Sequence, residues 1–159
     1  MENSESLKLK NQICFPLYVI AKEITGLYRP FLDELDITYP QYLVMMVLWE
    51  NDGLAVSSIG EKLYLDSGTL TPLLKRLENK GFILRRRKKE DERMVEVFIT
   101  ESGKALQQKA CEIPEKIQDK IDVTKEDWIM LKESVQKILS KIEKINENFI
   151  YNKSNSKRR

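Results

Sequence analysis

Two short helical patterns followed at once by two β-rich stretches, between residues 56 and 99, constrain this chain more than any other feature. Ser57 can cap a short helix running to Leu63, and Asp66 or Ser67 can cap the next, which runs to Lys80 before Gly81. Only a few residues join the two, as in a helix-turn-helix. Phe82–Leu84 and Met94–Ile99 are then rich in β-formers and flank a charged loop, which predicts a hairpin with a long tip. Helix, turn, helix, hairpin is the order of a winged helix-turn-helix. The expected fold is therefore mainly α with a β-hairpin wing, the helix-turn-helix at about 56–80 and the wing at about 82–99.

Long amphipathic helices flank this core. Ile13, Leu17, Ile20, Ile24, Leu27, Phe31 and Leu35 recur at spacings of three and four, one stripe of a helix. Tyr39-Pro40 opens a second helix that is apolar almost all round and hence buried, ending at Asn51-Asp52-Gly53. Thr100 caps a fifth, with Leu106, Ala110, Ile113, Ile117 and Ile121 on one face, and Pro114 should kink or split it. Thr124 and Asp127 resemble a capping box, after which Trp128, Leu131, Val135, Ile138, Ile142, Ile145 and Phe149 form a seam suited to packing between subunits. The reading is one domain over 9–149, with dimerisation helices at about 9–35 and 101–149. Residues 1–8 are expected to be flexible, and 150–159 a disordered basic tail.

Composition narrows the function by exclusion. Six Gly and five Pro leave few tight turns, and 33% charged residues suit long solvated helices. The chain has no histidine, which removes Ser-His and Cys-His nucleophilic pairs, and two cysteines are too few for the usual zinc sites. No cofactor, metal or enzymatic activity is expected. Two widely spaced cysteines, no long apolar run and no signal-peptide pattern predict a cytoplasmic protein without a membrane partner.

A net charge of +2 does not itself mark a nucleic-acid binder, but the charge is clustered. Arg85 to Lys89 form an unbroken basic run, followed by Glu90, Asp91, Glu92 and Arg93. A run of this kind is often only a solvated hairpin tip. In a wing, however, an Arg at the tip reaches the concentrated negative potential of a narrow minor groove. Arg93 is assigned that role, oriented by Asp91, with Arg85, Arg86 and Lys88 on the same surface. The helix before it carries Ser67, Thr69, Thr71, Lys75 and Arg76 among leucines. Its short hydroxyl residues suit base edges and phosphates, and its cations suit the DNA backbone. Two such helices in a homodimer would read a pseudo-palindromic operator in double-stranded DNA.

Cys14 lies two residues before Pro16, which is comfortable only in the opening turn of a helix. It is therefore placed near the positive end of the first long helix, where negative charge is favoured, and thiolate is the form that attacks peroxide. The plainer alternative is a small buried hydrophobe. Tyr18 lies four residues on, along the same face. Tyr28 and Tyr39 are further candidates for hydroxyls bonded to the sulfur, or else core aromatics.

The run Gln12-Ile13-Cys14-Phe15-Pro16-Leu17-Tyr18, the stretch Ile37-Thr38-Tyr39-Pro40-Gln41-Tyr42, the segment from Leu63 to Leu74 and Asp91-Glu92-Arg93 resemble the MarR family, and within it the organic-hydroperoxide-sensing repressors of the OhrR branch. The likeness runs from about Leu7 to Ile145. It implies a dimeric repressor with Cys14 as the peroxide-reactive residue and Tyr28 and Tyr39 reaching it across the dimer interface. Oxidation by an organic hydroperoxide would release the operator. Some members resolve the oxidised sulfur with a second cysteine. Cys111 lies a couple of turns earlier in its helix than that residue, so the resemblance favours a low-molecular-weight thiol with Cys111 a buried structural thiol; a resolving Cys111 in an intersubunit disulfide is the alternative. The rival readings are a MarR-type regulator of phenolic ligands and a thiol peroxidase.

Overall fold

The structure, a computed structural model, describes residues 4–88, 91 and 94–156, with side chains as far as Ile145. It holds seven α-helices and three strands among these residues: α1 (Cys14–Glu34), α2 (Tyr39–Glu50), β1 (Leu54–Ala55), α3 (Val56–Leu63), α4 (Ser67–Asn79), β2 (Ile83–Arg87), β3 (Val95–Ile99), α5 (Glu101–Ala110), α6 (Ile113–Ile121) and α7 (Lys125–Ser156). The chain divides into two units, residues 1–117 and 118–159.

In the first unit, α2 is the central helix. The backbone N–H of Thr38 donates to Gln41 Oε1 at 2.9 Å, which closes its first turn, and Tyr42, Val44, Met45 and Leu48 are buried along it. Leu32, Ile37, Ile59, Leu70, Leu74, Leu77, Ile83 and Val97 are buried with them, and Leu106, Ala110, Ile113 and Ile117 add the inner faces of α5 and α6. The turn between α3 and α4 is tight. Tyr64 adopts a left-handed conformation, and a Cβ on Gly60 would approach the Leu65 carbonyl oxygen to 2.8 Å, so only glycine fits there.

The wing is a three-stranded antiparallel sheet of order β1-β3-β2, not a simple hairpin. The two residues of β1 have no sequence pattern; Leu54 pairs Val97 and Ala55 pairs Glu96. This corrects the expected start of α3. Ala55 occupies the N-cap without a side-chain bond, and Ser57 lies in the first turn, because the chain enters the helix straight from a strand. Of the alternatives for α4, Asp66 is the cap, accepting from the Thr69 backbone N–H at 2.9 Å. A second correction concerns the basic run: Arg85, Arg86 and Arg87 belong to β2, paired to Val97, Glu96 and Val95, and do not form a loop tip.

Thr100 caps α5 as expected, accepting from Gly103 N–H at 3.1 Å, and the helix breaks before Pro114 to restart as α6. Residues 5–8 are bonded into turns, with the Glu5 and Ser6 carbonyls accepting from the Asn11 and Gln12 side chains. In the second unit, Asp127 N–H donates to Thr124 Oγ1 at 3.1 Å to start α7. That helix continues to Ser156. Leu131, Val135, Ile138, Ile142 and Ile145 of the seam are all exposed, and the side chain of Phe149 lies outside the described residues. No described helix is long and apolar enough to cross a membrane.

Candidate functional site

Two surfaces carry the residues singled out in the sequence. On α4, burial of Leu70, Leu74 and Leu77 turns the opposite face outward. That face presents Ser67, Thr69, Lys75 and Arg76, with Thr71 half-buried at its margin. Two of the hydroxyls are already engaged: Thr69 Oγ1 donates to Asp66 Oδ2 at 3.0 Å and Thr71 Oγ1 to the Ser67 carbonyl at 2.6 Å. The Thr69 backbone and side-chain bonds hold the Asp66 carboxyl below its usual range.

The basic residues of β2 are not equivalent. Arg85 is half-buried and donates through Nε to Glu78 Oε2 at 2.9 Å, which ties the strand to the end of α4. Arg86 stacks its guanidinium 5.8 Å from the centre of the Phe98 ring. Lys88 lies 3.8 Å from Glu96. Arg87 is exposed at the end of β2, and its side chain makes no bond to another described residue. Arg87 was not among the residues singled out in the sequence, because the strand was expected to end at Leu84 and no signal distinguishes it within the basic run. Asp91 is exposed and its carbonyl accepts from Met94 N–H at 2.9 Å. Arg93 lies outside the described residues.

The second surface is at the start of α1. Cys14 is the first residue of that helix and is exposed. Phe15, Leu17 and Tyr18 beside it are exposed as well. Tyr28 and Tyr39 meet elsewhere, at the α1–α2 junction, with ring centroids 5.0 Å apart and edge to face. Tyr42 joins them at 6.0 Å from Tyr28, and Trp49 lies 6.0 Å beyond Tyr42. Burial raises the phenol pKa of Tyr28 and Tyr39, and pushes Tyr42 up to about 12 with help from the other two rings. One protomer does not bring Cys14 to Tyr28. They are 14 residues apart on one helix, about 21 Å at the usual rise.

Cys111 is exposed, not buried as expected. It sits at the C-cap of α5, where the helix breaks before Pro114, and its Sγ–H donates to the Gln108 carbonyl at 3.1 Å. Among the described residues no cluster of His, Cys, Asp or Glu could hold a metal ion.

A capped α4 with a cationic outer face, held against a basic antiparallel sheet, defines a winged helix-turn-helix regulator. Comparison with known proteins agrees. Residues 26–110 match the family described as transcriptional regulator SarA/Rot. The chain is 48% identical over 147 residues to the organic hydroperoxide resistance transcriptional regulator of Bacillus subtilis, covering 92% of this chain and all of the relative. It superposes with a TM-score of 0.73 on reduced AbfR bound to DNA, at 32% identity over 88% of this chain and 97% of that one; AbfR is a Staphylococcus epidermidis protein also solved overoxidised on DNA and in a disulfide form. MarR shares the fold, with a TM-score of 0.76 at 18% identity, over 89% of this chain and 97% of MarR. The chain belongs to the MarR-type winged-helix transcriptional regulators, in the branch of the organic hydroperoxide resistance regulators.

Proposed function

We propose that this chain is a cytoplasmic, homodimeric DNA-binding repressor that senses organic hydroperoxides through Cys14 and then leaves its operator. The observation that carries the reading is the position of Cys14, an exposed thiol at the first residue of a long helix, flanked by exposed Phe15, Leu17 and Tyr18. Those side chains suit the organic part of a hydroperoxide. The sulfur attacks the outer peroxide oxygen, the O–O bond breaks and the alcohol leaves. Cys14 is thereby oxidised by two electrons to a sulfenic acid. A low-molecular-weight thiol then condenses with it, losing water and leaving a mixed disulfide. AbfR is found on DNA both reduced and overoxidised, which favours the mixed disulfide over added oxygen as the releasing form here.

Exposed apolar side chains support the dimer in each unit taken separately: Ile13, Leu17 and Ile20 in the first, Leu131, Val135, Ile138 and Ile142 in the second. Apolar rows of this size need cover, and a second copy supplies it. The resemblance to the organic-hydroperoxide-sensing repressors implies that the tyrosine pair serves Cys14 of the partner subunit, and the separation of about 21 Å between Tyr28 and its own Cys14 is compatible with that. On DNA, α4 enters the major groove with Ser67, Thr69 and Thr71 forward. Lys75, Arg76, Arg86, Arg87 and Lys88 contact phosphates, and Arg93, oriented by Asp91, reaches the minor groove. Arg85 is held by Glu78 and sets the strand instead of touching DNA.

The test is fluorescence anisotropy of reduced protein on labelled promoter DNA from its own locus at fixed salt. Roughly stoichiometric cumene hydroperoxide with a small thiol should release wild type and leave Cys14→Ser bound. If both stay bound, the peroxide reading fails. A cavity of about 550 Å³ lined by Lys22, Thr25, Arg29, Thr38 and Tyr39 favours the second reading, a phenolic-ligand regulator. Salicylate releasing Cys14→Ser from DNA would support it.

A further inference from the structure

Within the first unit, an unbroken line of contacts leads from the tyrosine pair to the base of the wing. Tyr28 of α1 and Tyr39 of α2 pack on Tyr42, and Tyr42 packs edge to face on Trp49 further along α2. Trp49 Nε1–H then donates to the Gly103 carbonyl at 3.0 Å, a bond spanning 54 positions. Gly103 lies in the first turn of α5, and its N–H donates to Thr100 Oγ1. Thr100 in turn donates from its backbone N–H to the Phe82 carbonyl at 3.1 Å and from Oγ1 to the Gly81 carbonyl at 2.6 Å.

This joint has no slack. A Cβ on Gly103 would sit on the Phe82 carbonyl oxygen and 2.8 Å from Ile99 Cγ2. Helix α5, the end of β3 and the entry to β2 therefore move together or not at all. A second tie between the α1–α2 region and the DNA-reading end exists, Lys80 Nζ to Asp36 Oδ1 at 2.8 Å. Its carboxylate is 82% exposed, so solvent screens it. Lys80 Nζ also donates to the Asp36 backbone carbonyl, and the end of α2 is tied to β3 by Ile99 N–H to Asp52 Oδ1 at 2.8 Å and Gly53 N–H to the Val97 carbonyl at 3.1 Å; the half-buried Trp49 bond is the link that continues the line of rings.

We infer that Trp49 is a positioning residue for DNA binding, transmitting the state of the Tyr28–Tyr39 pair through Gly103 to the base of the wing. The oxidative part of this inference rests on the reading of Cys14 given above. Packed rings and a half-buried hydrogen bond have discrete arrangements, so a displaced tyrosine pair is passed on as a shift of the whole joint and not absorbed. Spatial continuity alone does not establish coupling, which has to be measured as non-additivity.

The experiment is a double-mutant cycle on operator affinity with Tyr39→Ala, Trp49→Phe and the double variant, all reduced. Tyr39→Ala should weaken binding about tenfold with Trp49 present and less than twofold in the Trp49→Phe background. Effects that simply multiply overturn the inference. Melting temperatures separate this from plain destabilisation, which would lower affinity in each background alike. Replacing Trp49 by β-(3-benzothienyl)alanine keeps the ring shape without the N–H, and should reproduce the Trp49→Phe result; wild-type coupling in that variant also overturns the inference. In the oxidative arm, Trp49→Phe treated with cumene hydroperoxide and thiol should show the same mass gain on Cys14 as wild type but at least tenfold less loss of DNA affinity. If oxidised wild type itself stays on DNA, the Cys14 reading fails, while the cycle in reduced protein still decides the role of Trp49.

Discussion

Glu78 and Arg85, seven residues apart in sequence, are joined more than once: Glu78 Oε1 accepts from the Arg85 backbone N–H at 3.0 Å and Oε2 from its Nε at 2.9 Å. The pair closes the turn from α4 into β2 and so sets the angle between recognition helix and wing. Both side chains are less than a third exposed. Glu78→Ala should therefore cost about 1–2 kcal/mol of stability by leaving Arg85 half-buried without its partner. It should also weaken operator binding, although neither residue is proposed to touch DNA. Chemical denaturation and anisotropy check the two effects.

The same pair sets an acid limit. Bonding to Arg85 holds the Glu78 carboxyl below its ordinary value of 4.5. A depressed folded-state pKa contributes stability that is complete above the unfolded value and is lost as pH falls through and below it. Between pH 5 and pH 3, wild type should lose more stability than Glu78→Gln. Equal slopes in urea titrations at these pH values would refute this.

Tyr42 gives the opposite sign at the alkaline end. Its phenol ionises near pH 12 instead of 10, chiefly through burial. Stability from keeping it neutral is present below pH 10 and lost as pH rises toward 12. Absorbance at alkaline pH should show Tyr28, Tyr39 and Tyr42 all titrating late, with the last component, near pH 12, lost in Tyr42→Phe.

Gly103 admits no side chain. Gly103→Ala should destabilise the protein by roughly 2–3 kcal/mol and lower its melting temperature by about 5–10 °C, because the added carbon meets the Phe82 carbonyl and Ile99. Scanning calorimetry tests it.

Phosphate contacts make a prediction on salt. Lys75→Ala and Arg87→Ala should each weaken binding on all sequences and reduce the slope of log affinity against log salt by about 1. Arg85→Ala should leave that slope nearly unchanged while lowering stability, since its guanidinium is committed to Glu78.

Much of this protein was legible in its sequence. The period of Leu70, Leu74 and Leu77, the Asp66 cap and the punctuation at Gly81 determine α4 and its outward face by local rules, because helix burial and capping depend on residues within a turn or two. Pro16 likewise places Cys14 at a helix start. What sequence could not decide came from long-range pairing. The strand Leu54–Ala55 exists only because β3 lies beside it, and two residues carry no period of their own. Five consecutive cations read alike in sequence. Yet Glu78, Phe98 and Glu96 sort the four described ones into a tied Arg85, a stacked Arg86, an exposed Arg87 and a paired Lys88, and Lys89 lies outside the described residues. Cys111 looked like a buried thiol by type and is exposed by place. The bond from Trp49 to Gly103 spans 54 positions, and no local pattern encodes it. Local chemistry determined the helices, their caps and the cysteine's position; only the packing of distant segments decided which charges and rings act together.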